Sequence, residues 1–441
     1  MPPHDTFSRP LAVPGSRLSR LARLGGTATG IAGGAALGGL RELARGRRPE
    51  LRDLLLTPGN AARLADQLAR MRGAAMKVGQ LVSMDAGELL PPEIAAILSR
   101  LREEAHVMPP RQLRGVLDAA WGTGWLPRFA RFDPRPVAAA SIGQVHRARS
   151  RDGQDLAIKV QYPGVRRSID SDVANLGALI RVSGLLPPGI ALDPLLDEAR
   201  RQLHEEADYL LEADRLEAFR ALLADDPDFL LPELRRELIT RDVLAMSFVE
   251  GVPVERMDGA DQQTRDRIAR LLLELTFREL FDYRLMQTDP NFGNFRYAPD
   301  SGRIVLLDFG ATRAFDAPLV EAFRSLLRAG RHGDRAGIEA AALEIGYLSD
   351  GMAAGHRARL VDLFVMSMAP LQRGGVFDFG NSDMARRMTE AGMEMRDAPD
   401  LGHVPPVDAL FLQRKFAGIY LLATRLRARV NLDALIEPHL G

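Results

Sequence analysis

The sequence has no cysteine among its 441 residues, and its eight histidines are scattered along the chain. Without cysteine the protein can form no disulfide, bind no metal through thiolates and use no cysteine nucleophile. The histidines show none of the spacings of a zinc site. Basic and acidic residues number 58 each, so the composition lacks the excess positive charge that nucleic-acid binding needs. We therefore predict no nucleic-acid partner.

Long apolar runs are also missing, because no stretch reaches the ~20 apolar residues of a membrane-spanning helix. We expect residues 1–54 to form a basic leader rich in glycine and alanine, since the first 50 residues contain eight arginines and only three acidic residues. Two interpretations stay open: a flexible leader, or a segment that lies on an anionic membrane surface. The second predicts a cytoplasmic protein that associates with the membrane peripherally.

The remaining pattern predicts an α+β fold in which helices flank a small sheet. Apolar residues at helical spacing predict helical segments at residues 60–106, 110–120, 169–183, 194–223 and 261–284. Alternating and β-branched runs predict strands at residues 137–149, 154–161 and 238–248. A hairpin turn is expected at Arg151-Asp152-Gly153. This order of elements, followed by helices to the C-terminus, is that of a two-lobed protein-kinase-like fold.

The strongest functional signal lies near residue 290. Asp289 is followed by Asn294 and then, after a short apolar run, by Asp308-Phe309-Gly310. In a kinase-like site the first carboxylate faces the acceptor, while an amide oxygen and a second carboxylate hold magnesium on the triphosphate. Each piece alone is common by chance. Their order, with a strand between them, predicts an ATP and magnesium site.

Lys159 lies between apolar residues late in the second predicted strand. A kinase uses a lysine at this place to neutralise phosphate oxygens and to pair with a glutamate. The helix that follows offers several acids. We expect Glu205, Asp208 and Glu212 to share one face of that helix, with Glu206 rotated away by ~100°. We favour Glu212 as the partner of Lys159 and count Glu206 and Asp208 as further site residues.

The loop that would cover the phosphates departs from ordinary kinases. Such a loop carries glycines, so that backbone without side chains can lie on the phosphates. This chain instead has Ala138-Ala139-Ala140-Ser141-Ile142-Gly143. Alanine resists the positive φ values that glycine allows, so we expect a stiffer loop and a different nucleotide pose. The alternative is that the alanines only pack a turn.

Together these residues resemble the UbiB-type atypical kinases, a protein-kinase-like family needed for ubiquinone biosynthesis, and within it the coenzyme Q8-type branch. The matching segments are Lys77-Val78-Gly79-Gln80, the alanine-rich loop, Ile158-Lys159-Val160-Gln161, Glu206-Ala207-Asp208-Tyr209-Leu210-Leu211-Glu212, and the two segments that contain Asp289, Asn294 and Asp308. They occur in the expected order between about residue 55 and residue 430.

The resemblance implies roles that the residues alone do not give. A helical extension carrying Lys77 and Gln80 is implied to fold over the active site, with Glu206 as the partner of Lys77. The resemblance also implies an adenine-contacting hinge, formed by Met246, Phe248 and Glu250. The implied cofactors are ATP and Mg²⁺. The implied partners are a lipid or quinone-precursor ligand and a protein complex of ubiquinone biosynthesis.

Four segments follow from this resemblance: the leader at 1–54, the helical extension at 55–130, an N-lobe at 131–251 and a helical C-lobe at 252–441. The predicted function is that of an ATP- and magnesium-dependent, kinase-like ATPase that supports ubiquinone or related prenyl-lipid biosynthesis at a membrane surface. One alternative is a phosphotransferase acting on a small molecule or a protein. Another is a nucleotide-binding scaffold without catalysis, although such a scaffold has no need for the full set of catalytic residues.

Overall fold

The computed structural model describes Lys77 and residues 107–183, 192–372, 374–395, 403 and 405–440. The leader, Gln80 and the helices predicted at 60–106 lie outside the described residues, apart from Lys77. Contacts divide the chain into two compact units that interleave along the sequence. Among the described residues, the first unit runs up to Leu211 and includes Glu233–Phe248, while the second comprises Glu212–Pro232 and the chain from Val249 onward. The four segments expected from the sequence stay a prediction.

The described chain mixes helices and strands throughout. Its first part contains, in order, α1 (Pro110–Trp121), β1 (Phe129–Ala139), β2 (Gly143–Ser150), β3 (Asp155–Gln161), α2 (Val165–Ser183), α3 (Leu192–Glu206), α4 (Tyr209–Leu222), β4 (Phe229–Leu230) and β5 (Val243–Ser247). Its second part contains β6 (Val252–Pro253), α5 (Gln262–Phe281), β7 (Leu285–Gln287), β8 (Phe295–Ala298), β9 (Arg303–Leu306), β10 (Thr312–Ala314), α6 (Ala317–His332), α7 (Arg335–Ile345), α8 (Ala354–Gln372), β11 (Phe377–Asp378), α9 (Met384–Met395), α10 (Val407–Arg425), β12 (Arg429–Val430) and α11 (Leu432–Ile436).

An antiparallel sheet in the order β1-β2-β3-β5 forms the centre of the first unit. Helix α1 covers it, and the rings of Trp121, Trp125 and Phe129 pack together with centroids no more than 6.0 Å apart. The indole of Trp121 donates a hydrogen bond to the carbonyl of Leu238 at 2.8 Å, which satisfies its buried N–H. The predicted hairpin between β2 and β3 is confirmed, with Gly153 at φ +87° in its turn.

Two predicted strands are wrong in extent. The run 137–149 is two strands, because the chain turns between Ala139 and Gly143 and the amide of Ala140 donates to the carbonyl of Gly143 at 2.8 Å. The run 238–248 is a strand only from Val243. Thr240 and Val243 exchange backbone hydrogen bonds in a tight turn just before it.

The single helix predicted at 194–223 is also wrong, because the structure has two helices there. Helix α3 ends at Glu206 and α4 begins at Tyr209. The side chain of Asp208 accepts from the amide of Leu210 at 3.1 Å, which is the capping role that aspartate favours at a helix start. The amide of Tyr209 donates to the carbonyl of Arg241, outside either helix, at 3.3 Å. The expected common face of Glu205, Asp208 and Glu212 therefore does not exist.

Among the described residues, the second unit contains the remaining helices and three small sheets. One sheet has the order β4-β9-β8-β6, a second pairs β7 with β10, and a third pairs β11 with β12. The helix predicted at 261–284 is confirmed as α5, and Asp261 caps it by accepting from the amide of Thr264 at 2.9 Å. Within the part of the chain that the structure describes, no helix combines the length and the apolar character needed to cross a bilayer.

Candidate active site

Lys159 lies in the middle of β3, in the first unit. It is opposite Val145 of β2 and Leu244 of β5, and only 7% of it is exposed. Its ammonium lies 5.2 Å from the centroid of the Tyr209 ring, at the distance of a cation–π contact. A central strand with neighbours on both sides therefore fixes the lysine as a buried cation.

The alanine-rich loop joins β1 to β2 beside this lysine strand. Ile142 is buried, and the amide of Tyr162 donates to its carbonyl at 2.9 Å. Gly143 begins β2 where a Cβ atom would lie 2.4 Å from the carbonyl oxygen of Val160. Real Cβ atoms do not approach backbone so closely, so any other residue at this position would push β2 and β3 apart. The glycine that the loop retains is thus required by the sheet.

Glu206, the last residue of α3, connects the alanine-rich loop to Lys77. Its carboxylate forms an ion pair with the ammonium of Lys77 through Oε1, and Oε2 accepts from the hydroxyl of Ser141 at 3.2 Å. The exposed fractions of the two charged side chains are 8% for Lys77 and 15% for Glu206. This is the partner that the resemblance implies for Lys77, although the functional role of the pair stays a prediction.

Asp208 has a structural part in the described chain. Besides capping α4, it lies 3.5 Å from the guanidinium of Arg241. The side-chain Nε2 of Gln161 donates to the carbonyls of Ala207 and Arg241 at 2.9 and 3.1 Å, and so connects the α3–α4 break to β3.

The three predicted hinge residues follow one another at the end of β5. Met246 is buried and pairs with Ala157 of β3. The amide of Phe248 donates to the carbonyl of Asp155 at 2.8 Å, and the guanidinium of Arg147 lies 4.4 Å from the centroid of the Phe248 ring. Glu250 is exposed and belongs to the second unit. Their contact with adenine stays a prediction.

Asn294 and Asp308 lie at the same end of the β8–β9 hairpin in the second unit. Phe295 pairs with Leu306, and the amide of Leu307 donates to the carbonyl of Asn294 at 3.1 Å. The chain therefore places the amide and the carboxylate next to each other although 14 positions separate them in the sequence. Asp308 Oδ1 accepts from the amide of Gly310 at 2.9 Å, which orients the carboxylate.

Asp289 is held from two sides. Its Oδ1 accepts from Arg414 Nη2 at 2.8 Å, and its Oδ2 accepts from Asn294 Nδ2 at 3.2 Å. The hydroxyl and the amide of Thr288 both donate to the carbonyl of Ala311, at 2.7 and 3.0 Å. The segment before Asp289 is thereby joined to the segment that follows Asp308-Phe309-Gly310.

Helix α4 holds the Asp-Phe-Gly segment in place. The ring of Phe309 packs on that of Phe219 with centroids 4.8 Å apart, and Arg215 donates to the carbonyl of Gly310 at 2.8 Å. Glu212 is 2% exposed in the first turn of the same helix. Lys159 belongs to the other unit, so its pairing with Glu212 stays a prediction.

A buried ion pair lies beneath residues 287–290, the segment that carries Asp289 and that we call the catalytic segment. Lys415 Nζ is 3.1 Å from Glu279 Oε2, and it donates to the carbonyl of Gln287 at 2.7 Å. Burial raises the pKa of the Glu279 carboxyl, and the ammonium of Lys415 opposes that rise. Because this pair is fully enclosed, loss of either member would leave the other charge without compensation.

Sequence reasoning missed several of these residues. Arg215 and Phe219 were detectable, because they follow Glu212 at i+3 and i+7 on one helical face. Arg414, Lys415 and Glu279 gave no such signal, since they lie far in sequence from the residues they hold. Only the tertiary packing of α5, α10 and β7 brings them to the catalytic segment.

The donor atoms suit magnesium bound to a nucleotide. Magnesium prefers oxygen ligands and is usually held by one or two protein side chains together with phosphate oxygens. Asn294 directs its Nδ2 toward Asp289, so its Oδ1 is the atom that can act as a ligand beside the Asp308 carboxylate. We assign Asn294 and Asp308 to this role as a proposal.

The α+β fold and the ordered arrangement around Asp289 define the class as kinase-like. Residues 100–342 match the ABC1 atypical kinase-like domain. The chain is 38% identical over 432 residues to the mitochondrial atypical kinase COQ8 of Saccharomyces cerevisiae, covering 97% of this chain and 85% of that protein. It is 37% identical over 439 residues to the mitochondrial atypical kinase COQ8B of Rattus norvegicus, covering 98% and 81%. The chain belongs to the ABC1 atypical kinase family.

A solved structure supports the same fold. The complex of Rv3197 with erythromycin from Mycobacterium tuberculosis superposes with a TM-score of 0.61 and is 29% identical, covering 87% of this chain and 96% of that one. The resemblance expected from the sequence is therefore confirmed, and the chain is an ATP-dependent atypical kinase by family.

Proposed function

We propose that this protein hydrolyses ATP with magnesium and supports ubiquinone or related prenyl-lipid biosynthesis at a membrane surface. The observation that carries the proposal is the assembly of Asp289, Asn294 and Asp308 in one unit, with hydrogen bonds that orient each of them. The lipid pathway rests on the resemblance to the UbiB-type family. A cytoplasmic, peripheral position at the membrane is part of the same proposal.

The residues of the chain divide the work. Magnesium, when bound, would neutralise charge on the phosphate oxygens. Lys159 offers a second, buried cation for the same oxygens. Asp289 accepts a hydrogen bond from the attacking oxygen and aligns it. Glu212 and the alanine-rich loop complete the proposed nucleotide site.

Water is our favoured acceptor, because the Lys77–Glu206 pair joins the helical extension to the loop that would cover the phosphates. Transfer to a small molecule is the second candidate. It is favoured by the solved relative, whose structure contains erythromycin. In that case the same carboxylate would align a hydroxyl group instead of water.

The test is ATP turnover by the full chain with magnesium, measured with no vesicles, with neutral vesicles and with anionic vesicles that contain a quinone precursor. We expect phosphate release to rise several-fold only with the last preparation. Incubation with labelled ATP in parallel detects transfer to a lipid or metabolite. A labelled product at the rate of ATP consumption would contradict hydrolysis, and absence of any turnover would leave only nucleotide binding.

A further inference from the structure

Helix α10 reaches the catalytic segment with three neighbouring positions. Arg414 donates to Asp289, Lys415 donates to the carbonyl of Gln287, and Gly418 lies against Pro290. A Cβ atom at Gly418 would lie 2.3 Å from the Cβ of Pro290, so the close approach depends on glycine. One face of one helix thus holds three successive parts of the segment that carries Asp289.

The contact of Arg414 with Asp289 differs from the other two because it touches the reactive carboxylate itself. The two side chains are 17% and 25% exposed, so water competes only in part for the ion pair. Arg414 takes Oδ1 and Asn294 takes Oδ2, and each oxygen of the carboxylate therefore has its own donor. Two donors on different elements fix rotation about the last bond of Asp289, a torsion that is otherwise broad.

We propose that Arg414 is a positioning residue that sets the orientation of the Asp289 carboxylate toward the attacking oxygen. The inference rests on the proposed function, since it assigns Asp289 the task of aligning that oxygen. Arg414 lies beyond residues 100–342, the part that matches the family domain. The catalytic segment of this chain therefore depends on a helix near the C-terminus.

Orientation and affinity should separate in this case. Arg414 contacts Asp289 and supports the catalytic segment. In the proposed site, nucleotide affinity comes instead from Lys159, the metal ligands and the hinge. A guanidinium presents its N–H groups in a rigid plane, while an ammonium is a point charge. Loss of the guanidinium should therefore reduce kcat and leave nucleotide binding unchanged.

The experiment compares the full chain with Arg414→Ala, Arg414→Lys and the control Arg425→Ala, which removes an exposed arginine from the same helix. We expect Arg414→Ala to lower kcat by about 10- to 100-fold, the loss typical of a misplaced catalytic group. KM and Kd for ATP should change by less than about twofold. The kcat of Arg414→Lys should lie between those of wild type and Arg414→Ala. Low millimolar guanidinium should restore part of the kcat that Arg414→Ala has lost. The control Arg425→Ala should have the kcat of the wild type.

Several outcomes would overturn the inference. An unchanged kcat for Arg414→Ala, in a chain that turns over ATP, removes the positioning role and leaves the proposed function standing. A raised KM with unchanged kcat would place Arg414 in nucleotide binding. If Arg414→Ala does not fold, Arg414→Gln takes its place in the comparison.

Hydrogen exchange separates this inference from the proposed function. If the wild type does not turn over ATP at all, the proposed function fails, yet Arg414 can still be tested. Amide exchange at residues 289–294 should then be faster in Arg414→Ala than in Arg425→Ala, because these residues have lost the contact between Arg414 and Asp289. Equal exchange in the two variants would overturn the positioning role.

Discussion

Glu206 is a charged residue of the first unit that contacts both Lys77 and the alanine-rich loop. It ends α3, where the helix dipole disfavours a carboxylate, and Lys77 compensates for both the dipole and the burial. Ser141 takes the second oxygen and so fixes the alanine-rich loop to the same group. Lys77 and the alanine-rich loop therefore contact the same partly buried carboxylate.

Removal of Lys77 should show how much stability the protein loses when the Glu206 carboxylate has no ammonium beside it. Lys77→Met leaves the partly buried Glu206 carboxylate without its ammonium, and we expect the free energy of unfolding to fall by about 1–3 kcal/mol. Both tryptophans, Trp121 and Trp125, lie in the first unit, so their fluorescence during urea unfolding reports on that unit. The double variant Lys77→Met/Glu206→Gln should recover most of the loss. A double variant as unstable as the sum of the single ones would contradict the pairing.

The order and spacing of Asp289, Asn294 and Asp308 predict that the three residues share one site. The structure brings their segments together, and their roles in binding and catalysis stay predictions. Arg414 could not be identified that way. The sequence pattern of an amphipathic helix is the same whether its arginine faces water or a carboxylate 125 positions away, as Arg414 does.

At the scale of elements, α10 and β7 support the catalytic segment. Helix α5 contributes Glu279, α10 contributes Lys415 and Gly418, and β7 contributes the backbone of Gln287. The arrangement depends on close packing and on one buried ion pair. Each of these can be perturbed without touching Asp289.

Gly418→Ala tests the close packing. The new methyl would meet Pro290, so either α10 or the catalytic segment must shift. We expect a loss of about 1–3 kcal/mol in the free energy of unfolding, together with reduced kcat. The matched control is Gly392→Ala in α9, where a Cβ atom has no neighbour within 4 Å among the described residues. The control should be neutral or gain up to about 1 kcal/mol. Equal effects of the two changes would argue against the contact.

Lys415→Met tests the buried pair. We expect a loss of about 3–5 kcal/mol near neutral pH, because the Glu279 carboxyl would stay enclosed without its ammonium partner. Burial already raises the pKa of Glu279, so stability from its neutral form is present at low pH and is lost as the pH rises through that pKa. Without Lys415 nothing opposes the rise, and the loss should be larger at about pH 8 than at about pH 5.

Circular dichroism during urea unfolding measures this effect, since the tryptophans report on the other unit. The comparison variant is Lys415→Met/Glu279→Leu, which removes both charges and should recover most of the stability. A loss that does not depend on pH would mean that packing, and not charge, decides the cost of Lys415→Met.

Several elements differ from those that the sequence predicts. Apolar spacing continues from α3 into α4, so the pattern predicted one helix where Asp208 starts a second. The residue pattern predicts one continuous strand through the alanine-rich run, but the chain turns between Ala139 and Gly143, where Gly143 lies against the backbone of Val160. In both cases a local hydrogen bond or a backbone contact outweighed the residue pattern.

The chain divides into two compact units. The first contains Lys159, Glu206 and the alanine-rich loop, and the second contains Glu212, Asp289 and the proposed metal ligands. The fold class was predictable because, over most of the chain, the strands, helices and short motifs occur in the same order as in the family that the sequence resembles. The family match and the solved relative confirm it.

Membrane association is a prediction for the whole molecule. We expect the full chain to sediment with anionic vesicles more strongly than a chain that lacks residues 1–54, because the arginines of the leader would meet anionic lipid. Binding should weaken as salt is raised. Equal sedimentation of the two chains, or binding that ignores salt, would contradict a role of the leader at the membrane.

The most direct test of the central claim is the rate of magnesium-dependent ATP hydrolysis by wild type and by Asp308→Asn. We expect Asp308→Asn to lose turnover by about 100-fold or more, because an amide is a far weaker magnesium ligand than a carboxylate. Its circular dichroism spectrum and its urea unfolding curve, followed by circular dichroism, should match those of the wild type. Turnover that is unchanged in a folded Asp308→Asn variant would contradict the account.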